Sequence, residues 1–348
     1  MPEAQHGRGG LARQGSFGDG GGFRVITVAL IGDVMLGRGV NAALRDGPPE
    51  RPWGDTLGAL APADLRACNL ECVLSDRGSP SLIPPKAFHF RSDARNAEVL
   101  RRGGIDAVSL ANNHVLDFGY DALDDLLRVL DAAGIARAGA GRDGAEAAAP
   151  AILSAGGVRL AFLAFTDNEP DWAAAPGRPG VCYAPARPDA AEAAALLARV
   201  ERSSREADAV IVSAHWGGNW GEQPPPEHVE LARALVEAGA RVVFGHSPHV
   251  FRGIERAGRS VVLYSAGDFI DDYAVDPADR NDWSAAFLLD LDGEGVGAVR
   301  AVPTVIREYQ ARLAAGVERE AVARKLARLC GELGTRSEWR PGEGALVI

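Results

Sequence analysis

Three short polar motifs in this sequence each follow an apolar run that predicts a β-strand. They contain four of the seven histidines, and they are Asn112-Asn113-His114, His215-Trp216-Gly217 and Gly245-His246-Ser247-Pro248-His249. Two carboxylate motifs, Ile31-Gly32-Asp33 and Asn69-Leu70-Glu71, stand in the same position relative to their own apolar runs. Because carboxylates, carboxamides and imidazoles bind divalent transition metals, the pattern predicts one metal site assembled at the edge of a sheet.

The predicted ligands divide between two neighbouring metal ions if one carboxylate is shared. Two ions that share a carboxylate lie about 3.5–4 Å apart and together activate water and polarise an acyl or phosphoryl oxygen. Glu71 is the expected bridging ligand, because it follows a central strand and its carboxylate can be bidentate. We expect Zn, Mn or Fe, as one ion or two, bound by Asp33, Glu71 and His249 in one site and by Glu71, Asn113, His215 and His246 in the other.

Three further side chains are candidates for the chemistry itself. His114 follows a proposed ligand, so its side chain can face the substrate as a general acid or base. Asp117 lies three residues further on and can orient that imidazole or raise its pKa. Arg38, five residues after Asp33, can bind a carboxylate or phosphate group. For Asp117 and Arg38, a helix cap or a salt bridge is an equally good interpretation.

Two residue pairs beside these motifs also have two interpretations each. Cys68 and Cys72 flank the second carboxylate. They either bind a metal weakly or pack as reduced thiols in a strand, and four cysteines in a long chain favour packing. Trp216 and Trp220 follow the second histidine motif. We expect both indoles to wall the site, although packing in the core is the alternative.

The elements that must position these residues are short apolar strands separated by amphipathic helices. This order predicts an α/β layered fold, in which ligands bind outside the carboxyl ends of the strands. The later strands have short connections, which favours two packed sheets over one open sheet. The predicted strands are residues 24–31, 65–70, 105–110, 158–165, 209–213, 241–244, 261–264 and 286–291, and the predicted helices are 93–103, 120–133, 189–206, 226–238 and 308–333.

Charge and hydropathy argue against several classes of protein. The net charge of −10 argues against a general nucleic-acid binder, because neutralising phosphates requires Lys and Arg. The sequence has no apolar run of about 18 residues, which a transmembrane helix needs. We therefore expect a cytoplasmic protein without a membrane anchor, acting on a small-molecule or peptide substrate. Residues 1–22 are Gly-rich and lack the apolar segment of a secretory signal, which predicts a disordered leader.

Taken together, the motifs resemble those of the CapA family, the poly-γ-glutamate capsule synthesis proteins of the calcineurin-like metallophosphoesterase superfamily. The resemblance implies a four-layer α/β/β/α sandwich of the calcineurin-like metallophosphoesterase type over residues 23–307, and it implies the two-metal assignment above. Residues 308–348 then form a C-terminal helical extension. The segments that carry the resemblance are 32–38, 69–71, 109–114 with Asp117 and Gly119, 215–217, 245–249 and 265–269.

The sequence departs from ordinary calcineurin-like phosphatases at the first metal site. Their first motif is Asp-x-His, whereas this chain has Asp33-Val34-Met35 and so lacks one imidazole ligand. Their bridging Asp is replaced by Glu71, and the Asp beside their catalytic His is displaced to Asp117. The resemblance therefore implies a weaker first site.

Three functions fit these residues. The first is a metal-dependent hydrolase of the phosphoesterase type, acting on a poly-γ-glutamate, peptide-like or phosphoester substrate. The second is a peptide α-carbon epimerase, because some relatives act in lasso-peptide maturation and a metal can stabilise an enolate. The third is a non-catalytic, metal-stabilised scaffold of a biosynthetic complex. Hydrolysis is favoured because it needs only one activated water and one acid.

Overall fold

Two β-sheets form the centre of the chain, and the computed structural model describes residues 24–82 and 85–348. The predicted leader, residues 1–22, lies outside the described residues. The strands are β1 (Ile26–Val34), β2 (Leu65–Leu70), β3 (Val73–Leu74), β4 (Arg91–Ser92), β5 (Ala107–Ser109), β6 (Ala136–Ala138), β7 (Ala140–Gly141), β8 (Ala151–Ala155), β9 (Val158–Thr166), β10 (Gly180–Val181), β11 (Ala209–His215), β12 (Val242–His246), β13 (Ile254–Ala257), β14 (Ser260–Leu263), β15 (Asp268–Ile270), β16 (Trp283–Asp292), β17 (Gly295–Arg307), β18 (Gln310–Leu313), β19 (Glu338–Arg340) and β20 (Ala345–Val347).

The helices lie mainly in the connections between parallel strands. They are α1 (Arg38–Asp46), α2 (Leu57–Leu60), α3 (Ala97–Gly103), α4 (Gly119–Ala133), α5 (Gly144–Ala148), α6 (Ala191–Glu206), α7 (Pro226–Glu237) and α8 (Gly316–Glu332), with short 3₁₀ turns at Arg51–Trp53, Ala94–Asn96 and Pro170–Trp172. Each of the predicted strands is present. Strands β11 and β12 extend past their predicted ends and include His215 and His246 as their last residues.

Both sheets contain four adjacent parallel strands, which form one half of the larger sheet and the centre of the smaller sheet. The larger sheet has the order β19-β20-β17-β16-β1-β2-β5-β6, in which β1, β2, β5 and β6 are parallel. The smaller sheet has the order β13-β14-β12-β11-β9-β8, in which β14, β12, β11 and β9 are parallel. Strand β15 pairs with β1, and β18 pairs with β17. The carboxyl ends of the parallel strands within each sheet therefore lie at one edge, where the topology predicts a ligand site.

Residues of β1 alternate between two apolar cores, because successive side chains of a strand point to opposite faces. Ala29 and Ile31 pack in the cluster that also contains buried residues of α1, α3 and α4. Val28 and Leu30 pack in the cluster that fills the space between the two sheets. Such burial on both faces accounts for the continuous apolar run of this strand.

A third core lies on the outer face of the smaller sheet. Leu163 of β9 and Val212 of β11 pack there with buried residues of α6 and α7. The layers therefore follow the order helices, sheet, sheet, helices, and the predicted α/β/β/α sandwich is confirmed. Among the described residues, no helix is both long and apolar enough to cross a membrane.

The sequence predicted a helical extension over residues 308–348, but only part of this segment is helical. It contains the helix α8 and three strands, β18, β19 and β20. The three strands join the larger sheet. Glu308 and Tyr309 both have positive φ angles, 51° and 64°, and they form the tight turn between β17 and β18. A two-residue turn with this geometry matches the twist of a hairpin, so the chain reverses there instead of starting a helix.

Candidate metal centre

Asp33, Glu71, His215 and His246 lie where the carboxyl ends of the two sheets approach each other. Asp33 lies near the end of β1, and Glu71 directly follows β2. His215 and His246 end the neighbouring strands β11 and β12 and are cross-strand partners. The two sheets make contact at this edge, because His246 Nδ1 lies 2.9 Å from Asp33 Oδ1.

One group of four residues is arranged to hold a metal ion. Asp33, Glu71, His249 and Asp268 each offer one ligand atom, and these atoms all lie within 4.8 Å of one another. The three carboxylates are buried, whereas the imidazole is partly exposed. The sequence had predicted the first three residues of this group together and had assigned no role to Asp268.

The loop after β12 returns His249 to this group through a strained backbone. Ser247 has φ 98° and His249 has φ 59°, values that non-glycine residues rarely adopt. The His249 Nδ1 lies 3.1 Å from Asp268 Oδ1, which fixes the direction of the ring. Residues in such strained conformations are found preferentially at functional sites, where the surrounding structure holds them in place.

Asn69 connects the carboxylate group with the histidines of the smaller sheet. Its Nδ2 donates to Asp33 Oδ1 at 2.9 Å and lies 3.3 Å from His215 Nδ1. Its own Oδ1 accepts from Asn112 Nδ2 at 3.0 Å. Asn112 Oδ1 in turn accepts a hydrogen bond from the backbone N–H of His114. The predicted ligands and the predicted catalytic imidazole therefore share one hydrogen-bonded network, in which Asn69 is a residue that the sequence interpretation did not use.

Several buried atoms of the kind that ligate metals have no hydrogen-bond partner. Leaving a buried polar atom unpaired costs about 1–3 kcal/mol, so a group of them in one place indicates a missing partner. A divalent cation fits, because the atoms are carboxylate oxygens, a carboxamide oxygen and imidazole nitrogens. Within residues 24–82 and 85–348, such unpaired atoms occur on five of the predicted ligands and on Asp268. They include Asp33 Oδ2, Glu71 Oε2, Asn113 Oδ1, His215 Nε2, His246 Nε2 and Asp268 Oδ2.

Burial and crowding of negative charge perturb the acidic groups. Burial, together with the charge of Asp33, holds the pKa of Glu71 well above its usual value. Burial and the charges of Asp271 and Asp33 do the same to the pKa of Asp268. Burial would also raise the pKa of Asp33, but the adjacent His246 brings it below its usual value. A divalent cation would compensate the charge of these carboxylates and displace the protons that Glu71 and Asp268 otherwise hold.

His114 lies at the side of this centre in a fixed orientation. Its Nδ1 lies 2.6 Å from Asp117 Oδ2, and its Nε2 lies 3.9 Å from Glu71 Oε1. The ring stacks on Phe90 with 3.9 Å between centroids. Burial lowers the pKa of His114 to about 4 despite the opposing effect of Asp117, so the imidazole is neutral at physiological pH.

Asp117 is held by more donors than the sequence suggested. Its Oδ2 also accepts from the backbone N–H of Phe90 at 2.7 Å, and its Oδ1 accepts from Lys86 Nζ at 2.8 Å. Lys86 further donates to the backbone carbonyl of Asn113. The sequence interpretation missed Lys86, although one signal was available. It is one of two lysines among 37 basic residues, and a lysine is a compact ammonium that can meet converging oxygens.

Arg38 lies beside Phe90 at the side of the centre and makes a salt bridge, as one of its two interpretations predicted. Its Nη2 lies 3.0 Å from Asp272 Oδ1, and its Nε donates to Asp272 Oδ2 at 3.1 Å. The guanidinium lies 5.3 Å from the centroid of the Phe90 ring and 5.7 Å from that of Tyr273. The Arg38 side chain remains 36% exposed, so an anionic ligand can reach it.

Two expectations about neighbouring residues are settled by burial. Trp216 is fully buried and packs on His228 and Tyr264, so the prediction that it walls the site was wrong. Trp220 is 40% exposed and its ring lies 6.0 Å from that of His249, as expected for a wall. Cys72 Sγ accepts the backbone N–H of Leu36, and both it and Cys68 are buried free thiols, which supports packing over metal binding.

The sequence interpretation gave Asp268 no role, although the sequence contains a signal for one. It follows a glycine after an apolar run, as Asp33 does, in the pair Gly267-Asp268. The neighbouring Asp271 is also buried, and burial raises its pKa to about 6.

Comparisons with known proteins agree with the motifs. The family model described as "Bacterial capsule synthesis protein PGA_cap" matches residues 27–273. A probable polyglutamine synthesis accessory protein of Mycobacterium tuberculosis is 35% identical over 289 residues, which cover 72% of this chain and 75% of the relative. The capsule biosynthesis protein CapA of Bacillus anthracis is 26% identical over 311 residues, covering 87% of this chain and 73% of the relative.

Two further proteins are similar to this chain. The PGA biosynthesis protein CapA of Bacillus subtilis is 28% identical over 286 residues, covering 82% of this chain and 72% of the relative. The crystal structure of a hypothetical protein from Thermus thermophilus superposes with a TM-score of 0.50 and 18% identity, covering 80% of this chain and 98% of that one, and it supports the fold alone. On the family match and the mycobacterial relative, the chain belongs to the bacterial capsule synthesis protein family PGA_cap, as its resemblance to the CapA proteins predicted.

Proposed function

We propose that this chain is a metal-dependent hydrolase of the metallophosphoesterase type, which cleaves an amide or phosphoester bond in an anionic, peptide-like substrate such as poly-γ-glutamate. The observation that carries the proposal is the position of His114. Its Nε2 lies 3.9 Å from Glu71 Oε1 in a centre of buried ligand atoms, while its Nδ1 is fixed by Asp117. The arrangement combines a place for metal ions with a neutral base directed at it.

The residues proposed to hold the metal ions are those predicted from the sequence. Divalent metal ions at such sites polarise an acyl or phosphoryl oxygen and lower the pKa of water. The buried and unpaired ligand atoms described above support this assignment. The ions expected are Mn, Zn or Fe, held by Asp33, Glu71, Asn113, His215, His246 and His249.

His114 is the proposed proton carrier. In the neutral imidazole, the Nδ1–H donates to Asp117, which leaves a lone pair on Nε2. Nε2 takes a proton from the attacking water as the water oxygen bonds to the carbonyl carbon or the phosphorus. It then gives that proton to the nitrogen or oxygen that leaves, so the imidazole ends the cycle neutral. The Asp117 carboxylate stabilises the imidazolium in between.

Arg38 is the proposed contact for an anionic group of the substrate. The net charge of −10 does not attract a polyanion, so an acidic substrate requires a local cation at the entrance. Asp272 engages Nε and Nη2 of this guanidinium, and Nη1 carries two further donors. The mycobacterial relative is named for polyglutamine synthesis and the Bacillus subtilis relative for PGA biosynthesis, which supports a substrate of the amino-acid polymer class.

The test is hydrolysis by the full chain loaded separately with Mn²⁺, Zn²⁺ and Fe²⁺. Poly-γ-glutamate is followed by mass spectrometry, and bis(p-nitrophenyl) phosphate is followed by absorbance. We expect turnover that chelation abolishes and that His114→Ala lowers by about 10²–10⁴-fold. His89→Ala is the matched control, because His89 Nε2 contacts the Ser81 carbonyl and the ring lies outside the centre.

The same assays carried out in D₂O, together with the metal content, separate the alternative functions. Solvent deuterium incorporated at a peptide α-carbon without cleavage supports the epimerase instead. Metal bound stoichiometrically, with no turnover of either substrate and no deuterium exchange, supports the scaffold. Turnover that persists in His114→Ala at the wild-type rate would contradict the proposed role of this imidazole.

A further inference from the structure

We propose that Asp268 is a ligand of the first metal site and replaces the imidazole that Met35 does not supply. The inference rests on the proposed function, because it assumes that the centre binds metal. It changes the ligand set of that site from three residues to four, namely Asp33, Glu71, His249 and Asp268. The donors would be three carboxylate oxygens and one imidazole nitrogen.

Met35 does not take part in the centre. Its side chain is fully buried, and its Sδ accepts the backbone N–H of Gly37 at 3.0 Å. It packs in the apolar cluster between the larger sheet and the helices. A thioether is moreover a soft ligand, poorly suited to a site rich in carboxylates.

Strand pairing brings Asp268 to the position where a ligand is needed. Strand β15 runs parallel to β1, and Asp268 is the cross-strand partner of Asp33. The backbone N–H of Asp33 donates to the carbonyl of Gly267 at 3.0 Å, which fixes the two strands against each other. Partners in adjacent strands project to the same face of a sheet, so the two carboxylates point in the same direction.

The atoms of Asp268 are arranged for coordination. The side chain is fully buried, and a ligand atom of Asp268 lies within 4.8 Å of those of Asp33, Glu71 and His249. Its Oδ1 contacts His249 Nδ1 at 3.1 Å, whereas its Oδ2 has no hydrogen-bond partner among the described residues. If Asp268 only oriented the imidazole, it would use Oδ1 alone, and Oδ2 would stay buried without a partner. A metal ion bound at Oδ2 would supply that partner.

The enlarged ligand set makes the two proposed sites chemically unequal. Three carboxylates with one imidazole favour a hard cation such as Mn²⁺. The second set, with His215, His246 and Asn113 beside Glu71, has two imidazoles and favours Zn²⁺ or Fe²⁺. We therefore expect a protein exposed to both Mn²⁺ and Zn²⁺ to keep one equivalent of each.

The experiment measures bound metal instead of activity. The wild type, Asp268→Asn and the matched control Asp106→Asn are loaded with Mn²⁺ and Zn²⁺, desalted and analysed by mass spectrometry of the elements. Mn²⁺ affinity is measured by titration calorimetry. Asp106 is partly buried and precedes β5 at the opposite edge of the sheet, and its Oδ2 accepts the backbone N–H of Arg66, so the control carries the same chemical change away from the centre.

We expect Asp268→Asn to lose the Mn²⁺ equivalent and to keep the Zn²⁺ equivalent, which also shows that the variant is folded. Its Mn²⁺ affinity should fall by more than about 100-fold, beyond the 10–100-fold typical of a residue that only orients a ligand. Asp106→Asn should keep both metals.

Two results would overturn the inference. If Asp268→Asn keeps its Mn²⁺ and Asp268→Ala loses it, Asp268 only orients His249, because the Asn carbonyl can still accept from the Nδ1–H. If the wild type binds no metal under any loading condition, the proposed function fails together with this assignment.

Discussion

Replacing Gly32 by alanine should separate the two strands that bring Asp33 and Asp268 together. A Cβ atom at Gly32 would lie 1.8 Å from the carbonyl oxygen of Gly267. A carbon and an oxygen normally stay at least about 3.3 Å apart, so the strands must move apart locally by about 1.5 Å. The obstacle is backbone, which cannot rotate away as a flexible side chain would.

The magnitude follows from the hydrogen bonds at this junction. Asp33 N donates to Gly267 O at 3.0 Å, and Met35 N donates to Ile270 O at 2.8 Å. A shift of this size breaks both, and each broken hydrogen bond costs about 1–3 kcal/mol. We expect the free energy of unfolding to fall by about 2–6 kcal/mol. Mn²⁺ binding should weaken as well, because the two carboxylates no longer face the same point.

Urea unfolding of metal-free protein and Mn²⁺ titration calorimetry test this expectation. Gly58→Ala is the matched control, because a Cβ there meets nothing within 4 Å and the residue lies inside α2. That change should be neutral or stabilise the fold by up to about 1 kcal/mol. A Gly32→Ala protein within about 0.5 kcal/mol of the wild type and with unchanged Mn²⁺ affinity would refute the reasoning.

Three further outcomes follow from the same geometry. Lys86→Met should lower kcat by about 10-fold or more with metal content unchanged, because Asp117 loses a donor, and Lys86→Arg should not restore the rate. The raised pKa values of Glu71 and Asp268 mean that the folded state binds protons that the unfolded chain has released. The stability that these two carboxyl groups contribute to the metal-free protein is therefore present at acid pH and is lost as pH rises through their folded-state pKa values. Because protons compete with the metal ion at these groups, 1 mM Mn²⁺ should raise Tm more at pH 8 than at pH 5; an equal shift would contradict the proton displacement. Trp220→Ala should raise KM and leave Tm unchanged within about 1 °C, because the indole is 40% exposed, and a large loss of Tm would assign it to the core instead.

The strand-end motifs were predictable because they are local. An apolar run followed by Gly-Asp, Asn-His or Gly-His needs only neighbouring residues to indicate a strand that ends at polar side chains. Parallel strands then bring these ends to one edge whatever the details of packing. For that reason Asp33, His215 and His246 lie where the sequence placed them, and the layered α/β fold was predictable with them.

Predictions from neighbouring residues were wrong where the structure depends on residues distant in the chain. Residues 310–313 have no strong strand pattern, and they form β18 only because the edge of β17 is available to pair with them. Trp216 follows a predicted ligand, but whether its indole faces the site or the core is decided by His228 and Tyr264, which stack on it.

The sequence by itself determined which side chains of the metal-binding type this protein has and that strand ends carry them. Only the tertiary structure decided which of them lie together. Asp268 stands beside Asp33 because β15 returns to pair with β1 after more than two hundred residues, and Lys86 reaches Asp117 from a loop. Such contacts depend on the register between strands and on loop paths. Both are set by burial of the whole core and by pairing of backbone groups far apart in the chain, and no short window of residues contains that information.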